Sequence, residues 1–146
     1  VKITETINLL ATELRKARSL QGATIAEIGN AVEIPQVVKD GYVNILPRSK
    51  SRERVFYIGG TIKQYNVEPE LEVHVWQSSV DGPGDACDLA EELAENVQDE
   101  INALSPSEIG VLWIESEIDD YDQGYYEGVF YYVVIVAVKM RVEKNY

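Results

Sequence analysis

One histidine, His74, and one cysteine, Cys87, bound the chemistry this chain could perform. His74 lies in "ELEVHVWQ" between Glu72 and Trp76, on the outward side of an alternating run. A lone strand histidine there suits the surface or a packing role better than a general base. Cys87 falls inside a helical pattern with no basic group nearby to lower its pKa, so it reads as an inert, partly buried thiol. One thiol forms no intramolecular disulfide, and one residue of each type closes no cysteine–histidine zinc site. Neither a phosphate-binding GxxxxGK(S/T) pattern nor a GxSxG elbow occurs, and Gly59-Gly60 read as a turn. The expectation is a protein without a cofactor and without enzymatic activity.

The acidic run "DDYDQGYYEG" (119–128) invites a metal test. An EF-hand loop needs acidic ligands at positions 1, 3 and 5 and glycine at 6, but a loop starting at Asp120 puts Gly124 at position 5. The register fails and no metal is expected, with a weak divalent-cation site from Asp119, Asp120 and Asp122 as the minor alternative. The run reads instead as a hairpin tip in which Tyr121, Tyr125 and Tyr126 sit among Asp119, Asp120 and Asp122. Exposed tyrosines offer a large contact area at small entropic cost, which suits a protein interface. The alternative is that half of them pack on the sheet.

A second run, "LPRSKSRERVFYIGG" (46–60), gathers Arg48, Lys50, Arg52 and Arg54 in a chain whose formal net charge is −12. Residues 64–138 carry 18 acidic residues and no lysine or arginine, whereas residues 1–63 sum to +4 and residues 139–146 to +2. Three readings of the basic run stand: a solvated loop balanced by nearby acids, an arm docked on another copy or partner, and a phosphate contact. The acidic remainder disfavours non-specific nucleic-acid wrapping, which is driven by phosphate neutralisation. It also supplies a complement for the arm, so copies could associate positive end to negative end.

These residues must be positioned by a 146-residue chain, 45% apolar and 26% charged, long enough for one domain with a real core. No apolar run approaches the roughly 20 residues of a membrane-spanning helix. The first residues lack the basic-then-apolar leader pattern, and Val1 is expected to follow a removed initiator methionine. Ile3, Ile7, Leu10, Leu14 and Ala17 form an apolar stripe predicting a helix over 2–19 that stops at Gly22. Short strands follow over 23–46, with Asp40-Gly41 as a hairpin cue and Pro47 ending the second strand. A basic loop at 47–54 and a brief strand at 55–60 lead to a half-buried strand at 67–77, whose Leu71, Val73 and Val75 face the core. Asp85 is the expected N-cap of a helix over 86–104, with Ala86, Leu89, Ala90, Leu93, Val97, Ile101 and Leu104 buried. Strands at 109–118 and 129–142 then form a long hairpin, the second apolar on both faces like a central strand. The fold class expected is α+β: one domain over 1–146, its mixed or antiparallel sheet packed by the N-terminal and central helices.

This layout resembles the tail terminator and tail-completion (head–tail joining) proteins of long-tailed bacteriophages. The resemblance rests on the "ITETINLLATELRKA" helix, the "ELEVHVWQSS" strand, the "ACDLAEELAENVQDEINAL" helix and the final "YYEGVFYYVVIVAVKMRV" strand. It is a likeness of pattern over nearly the whole chain, without a short diagnostic motif, and the basic run has no fixed family counterpart. It implies a virion protein, made in the host cytoplasm, that forms a ring, usually of six copies, at the top of the tail tube. The implied partners are other copies of itself, the tail tube protein and the head connector or stopper protein. DNA would pass through the lumen without sequence-specific binding, and no membrane is involved. The alternatives are another head-completion or neck adaptor, or a small acidic α+β module that binds a basic peptide.

Overall fold

A computed structural model of the chain describes residues 3–26, 40–58, 61–126 and 128–145; within these, the side chains of 49–58, 61–68, 126 and 143–145 are not described. Two helices pack on one face of a five-stranded mixed sheet, so the fold is α+β with an N-terminal and a central helix. The elements are α1 (Ile3–Lys16), β1 (Thr24–Ala26), β2 (Tyr42–Ile58), β3 (Thr61–Gln77), α2 (Pro83–Ala103), β4 (Trp113–Tyr126) and β5 (Val129–Asn145). Their order across the sheet is β1-β2-β3-β5-β4, with β1 parallel to β2 and every other pairing antiparallel.

The stripe predicted for α1 is present: Ile7, Leu10 and Leu14 are buried, with Ile3 and Ala17 packed against the core. The helix ends earlier than expected. Ala17 turns extended after Lys16, and a short 3-10 turn over Arg18–Leu20 buries Leu20 before Gly22 is reached. Arg15 Nη2 donates to the Ile25 carbonyl at 2.7 Å, tying the helix end to β1. The strand expected upstream of Asp40-Gly41 lies outside the described residues. Gly41 itself has φ +92°, a backbone conformation that favours glycine, and a Cβ there would stand 2.5 Å from Leu93 Cδ2, the end of a side chain that would have to shift.

On the helix side of the sheet, Val43 and Ile45 of β2, Leu71, Val73 and Val75 of β3, and Val134, Val136, Val138 and Met140 of β5 are all inaccessible to solvent. Each valine or leucine buried this way contributes about 1.5–3 kcal/mol. The period-2 alternation of β3 is therefore as the sequence predicts. On α2 the buried row is Ala86, Ala90, Ala94, Val97 and Ile101, and the three alanines let the helix axis lie close to the strands. Leu89 is only half-buried, and Ala94 belongs to a stripe from which the sequence reading omitted it.

Three boundaries need correction. Gly82, not Asp85, caps α2, because Pro83 is preorganised for the first helical position; Asp85 lies in the first turn and accepts a hydrogen bond from the Ser79 hydroxyl. The basic residues at 47–54 are not a loop. β2 runs on through Pro47 to Ile58, with register shifts between Pro47 and Ser49 and between Ser49 and Arg52. Among the described residues β1 flanks β2 only along Tyr42–Asn44, so no described strand neighbours Pro47 on that side, where a proline nitrogen can face outward without costing a ladder bond. Nor is 119–126 a loop: β4 continues to Tyr126, which pairs with Val129 of β5, and Gly128 has φ +81°.

These long strands give the sheet two extensions. Past the Gln77–Tyr132 pairing, among the described residues only β4 and β5 continue, to the Tyr126–Val129 pairing. In the opposite direction β4 stops at its Trp113–Arg141 pairing, while β3 pairs with β5 as far as Gln64–Asn145 and with β2 to Ile58–Thr61.

Candidate functional site

The two charged runs therefore occupy opposite poles of one sheet. Residues 48–54 lie in the β2–β3 hairpin and residues 119–126 in the β4–β5 hairpin. Arg48, the first cation of the basic run, nevertheless reaches back across the sheet face opposite α1 and α2, which is helix-free among the described residues. Its Nη2 lies 2.7 Å from Asp119 Oδ2, and its Nε lies 3.7 Å from Glu72 Oε1. Glu72 Oε2 is in turn 3.0 Å from His74 Nε2. The residues expected on two sides of an interface between copies thus meet inside one chain, in a relay of four charged or polar side chains. The side chains of Lys50, Arg52 and Arg54 lie outside the described residues; in backbone register Arg52 is opposite Glu68 and Arg54 opposite Asn66.

A bulge between Ile118 and Asp120 decides where the acidic pole points. It adds one residue to β4 and resets the alternation. Asp120 and Asp122 then sit opposite Ile135 and Val133 on the helix-free face, while Tyr121 and Tyr125 point to the helix side. Tyr121 packs edge-on against Tyr132 at 6.0 Å and Tyr125 against Phe130 at 5.4 Å, yet Tyr125 stays 73% exposed. Tyr121 and Tyr125 thus pack one ring edge on the sheet, as the packing alternative expects, and leave surface outward. The side chain of Tyr126 lies outside the described residues.

The acids also blunt an edge. β4 is the last strand of the sheet, and an open edge is a template for unwanted pairing. Asp120 Oδ1 accepts the Tyr121 N–H and Asp122 Oδ1 the Gln123 N–H, each at 2.8 Å. Nearer the centre, α2 does the same: Asn102 Oδ1 accepts the Ser116 N–H at 3.0 Å, and Gln98 Nε2 donates to the Ser116 carbonyl at 3.3 Å. Among the described residues no group of three aspartate, glutamate, histidine or cysteine side chains is arranged to hold a metal ion.

One concavity lies at the acidic pole, on the helix-free face. It encloses about 250 Å³ between Trp76 of β3, Tyr131 and Val133 of β5, and Asp122 and Gly124 of β4. Trp76 and Tyr131 meet edge to face at 6.4 Å, and Gly124 leaves the wall open because nothing stands within 4 Å of where a Cβ would be. Trp76, Gly124 and Val133 are site residues that the sequence reading did not assign. The alternation of "ELEVHVWQ" put Trp76 on the outward face, but nothing local says that β5 lies between β3 and β4.

His74 and Cys87 are on opposite sides of the sheet, His74 on the helix-free face and Cys87 on α2. Burial pushes the Cys87 thiol pKa up, and the neighbouring Glu91 and Asp88 carboxylates push it further, which keeps the thiol neutral. The geometry thus offers charge, aromatic surface and hydrogen bonding. No helix among the described residues is long and apolar enough to cross a membrane. No family model matches the chain, and no curated protein matches it in sequence.

Proposed function

We propose that this chain is a structural subunit that assembles head to tail into a closed ring at the top of a phage tail tube, ending the tail and joining it to the head connector. The observation that carries the reading is the separation of charge along one sheet, with basic residues in the β2–β3 hairpin and acidic ones in the β4–β5 hairpin. A head-to-tail ring needs two different patches that complement each other, and opposite poles of a rigid sheet supply them. Because Arg48 is engaged by Asp119 of its own chain, the contact arm in this reading consists of Lys50, Arg52 and Arg54. A ring with an acidic lumen would let DNA slide through by like-charge repulsion.

Size-exclusion chromatography with light scattering, at low and high salt, tests the reading. A discrete oligomer that weakens as salt rises is expected, and a monomer at every concentration and salt argues against self-assembly. Negative-stain images of particles lacking the protein test its position. Tails of uncontrolled length or heads without tails are expected, and normal virions would refute a neck role.

A further inference from the structure

We infer that the Trp76–Asp122–Gly124 cleft is a socket for an arginine or lysine side chain carried by the β2–β3 hairpin of a second copy of this chain. This rests on the head-to-tail reading and names the contact that would hold it. The cleft has the chemistry of a cation site: an aromatic corner from Trp76 and Tyr131, a carboxylate from Asp122, and a Val133 floor that suits a methylene stem. Asp122 is held in place because its Oδ1 accepts the Gln123 N–H.

Charge and distance choose the occupant. Residues 64–138, which build the whole cleft, contain no lysine or arginine, and 48–54 gathers more cations than any other seven-residue stretch of the chain, four in seven positions. Within one chain Arg48 is already engaged by Asp119 and Glu72, and the hairpin cannot deliver the later cations of that run. Trp76 is opposite Tyr42, whereas Arg52 is opposite Glu68, eight residues further along β3. Eight strand residues span roughly 26 Å, several times the reach of an arginine side chain. A second copy that presents its basic pole to this acidic pole has no such restriction.

Gly124 provides a clean test. Its φ is not positive and a Cβ there meets nothing, so Gly124→Leu fills the cleft without backbone strain. In a Trp113→Phe background Trp76 is the sole tryptophan and reports on the cleft. Titrating this protein with a peptide of residues 46–58 should change Trp76 emission. Gly124→Leu should abolish the change, and Asp122→Asn should weaken binding about tenfold, with circular dichroism and urea midpoints close to the parent's. Sedimentation velocity on the same proteins should show Gly124→Leu shifting assembly to at least tenfold higher concentration. Trp76 emission indifferent to the peptide, or assembly indifferent to Gly124→Leu, overturns the socket while leaving assembly standing. Peptide binding at the cleft by a chain that never self-associates overturns the second copy as occupant and the ring reading with it.

Discussion

Arg48 Nη2 and Asp119 Oδ2 are 2.7 Å apart, which ties β2 to the edge strand β4 across the two strands that separate them. Both side chains are about one-third exposed, at 30% and 34%, so the pair is solvent-screened, and its reach across the sheet matters more than its strength. Arg48→Ala and Asp119→Ala should each cost about 0.5–1 kcal/mol in urea unfolding. The double variant should cost less than the sum. Strict additivity would mean that the contact contributes nothing.

Gly41→Ala should be somewhat more damaging than the same change at an exposed glycine of equal φ. It places a Cβ against Leu93 and asks alanine to adopt φ +92°. A loss of about 1–2 kcal/mol is expected from the left-handed conformation, with a smaller increment for moving the end of the Leu93 side chain. Gly22→Ala has the same backbone sign but open space around it, and should lose only the conformational part. Equal losses at the two sites would show that the Leu93 contact is harmless.

The alanine row of α2 should resist enlargement. Ala94→Leu inserts three carbons between helix and sheet and should destabilise by about 1–3 kcal/mol. Ile101→Ala should cost about 2–5 kcal/mol through the cavity it leaves. An Ala94→Leu midpoint equal to that of the parent chain would show that α2 stands further from the strands than described.

Alkaline pH should weaken the fold. Burial raises the Tyr42 and Tyr132 pKa values above 10.0 and that of Cys87 above 9.0, with Glu91 adding to the last two. The unfolded chain then releases these protons first. The contribution is complete below about pH 9 and is lost as pH rises through the folded pKa values. Urea midpoints at pH 8, 9.5 and 10.5 should fall in that order, and Cys87 alkylation at pH 8 should be slower in the folded chain than in urea.

Reversing Arg52 and Arg54 to glutamate should weaken assembly, with the largest effect at low ionic strength, where opposite poles attract most strongly. Sedimentation at two salt concentrations checks this. Wild-type assembly by the doubly reversed chain would remove the basic hairpin from the interface.

What was legible in the sequence was periodic. Ile7, Leu10 and Leu14 on α1 and Leu71, Val73 and Val75 on β3 advertise their faces by spacing alone, and all are buried. The extent of β2 and β4 was hidden because their outer halves are written in residues depleted from strands: Pro47, then Asp119, Asp120, Asp122 and Gly124. The candidate site was half visible. Asp122 stood out as a charge, but its partner Trp76 lies 46 positions earlier, brought beside it only because β5 inserts between β3 and β4. The Arg48–Asp119 pairing was hidden for the same reason, compounded by a bulge that no local pattern announces.

β5 is the one strand that enters both extensions, running seventeen residues from Val129 to Asn145. A force that pulls the two poles apart would act along its axis, perpendicular to its ladder hydrogen bonds. Those bonds would be loaded together in shear, with no end from which they could be peeled one by one. In a ring whose neighbours grip opposite poles, β5 would be the tendon of each subunit, carrying tension from one neighbour to the next.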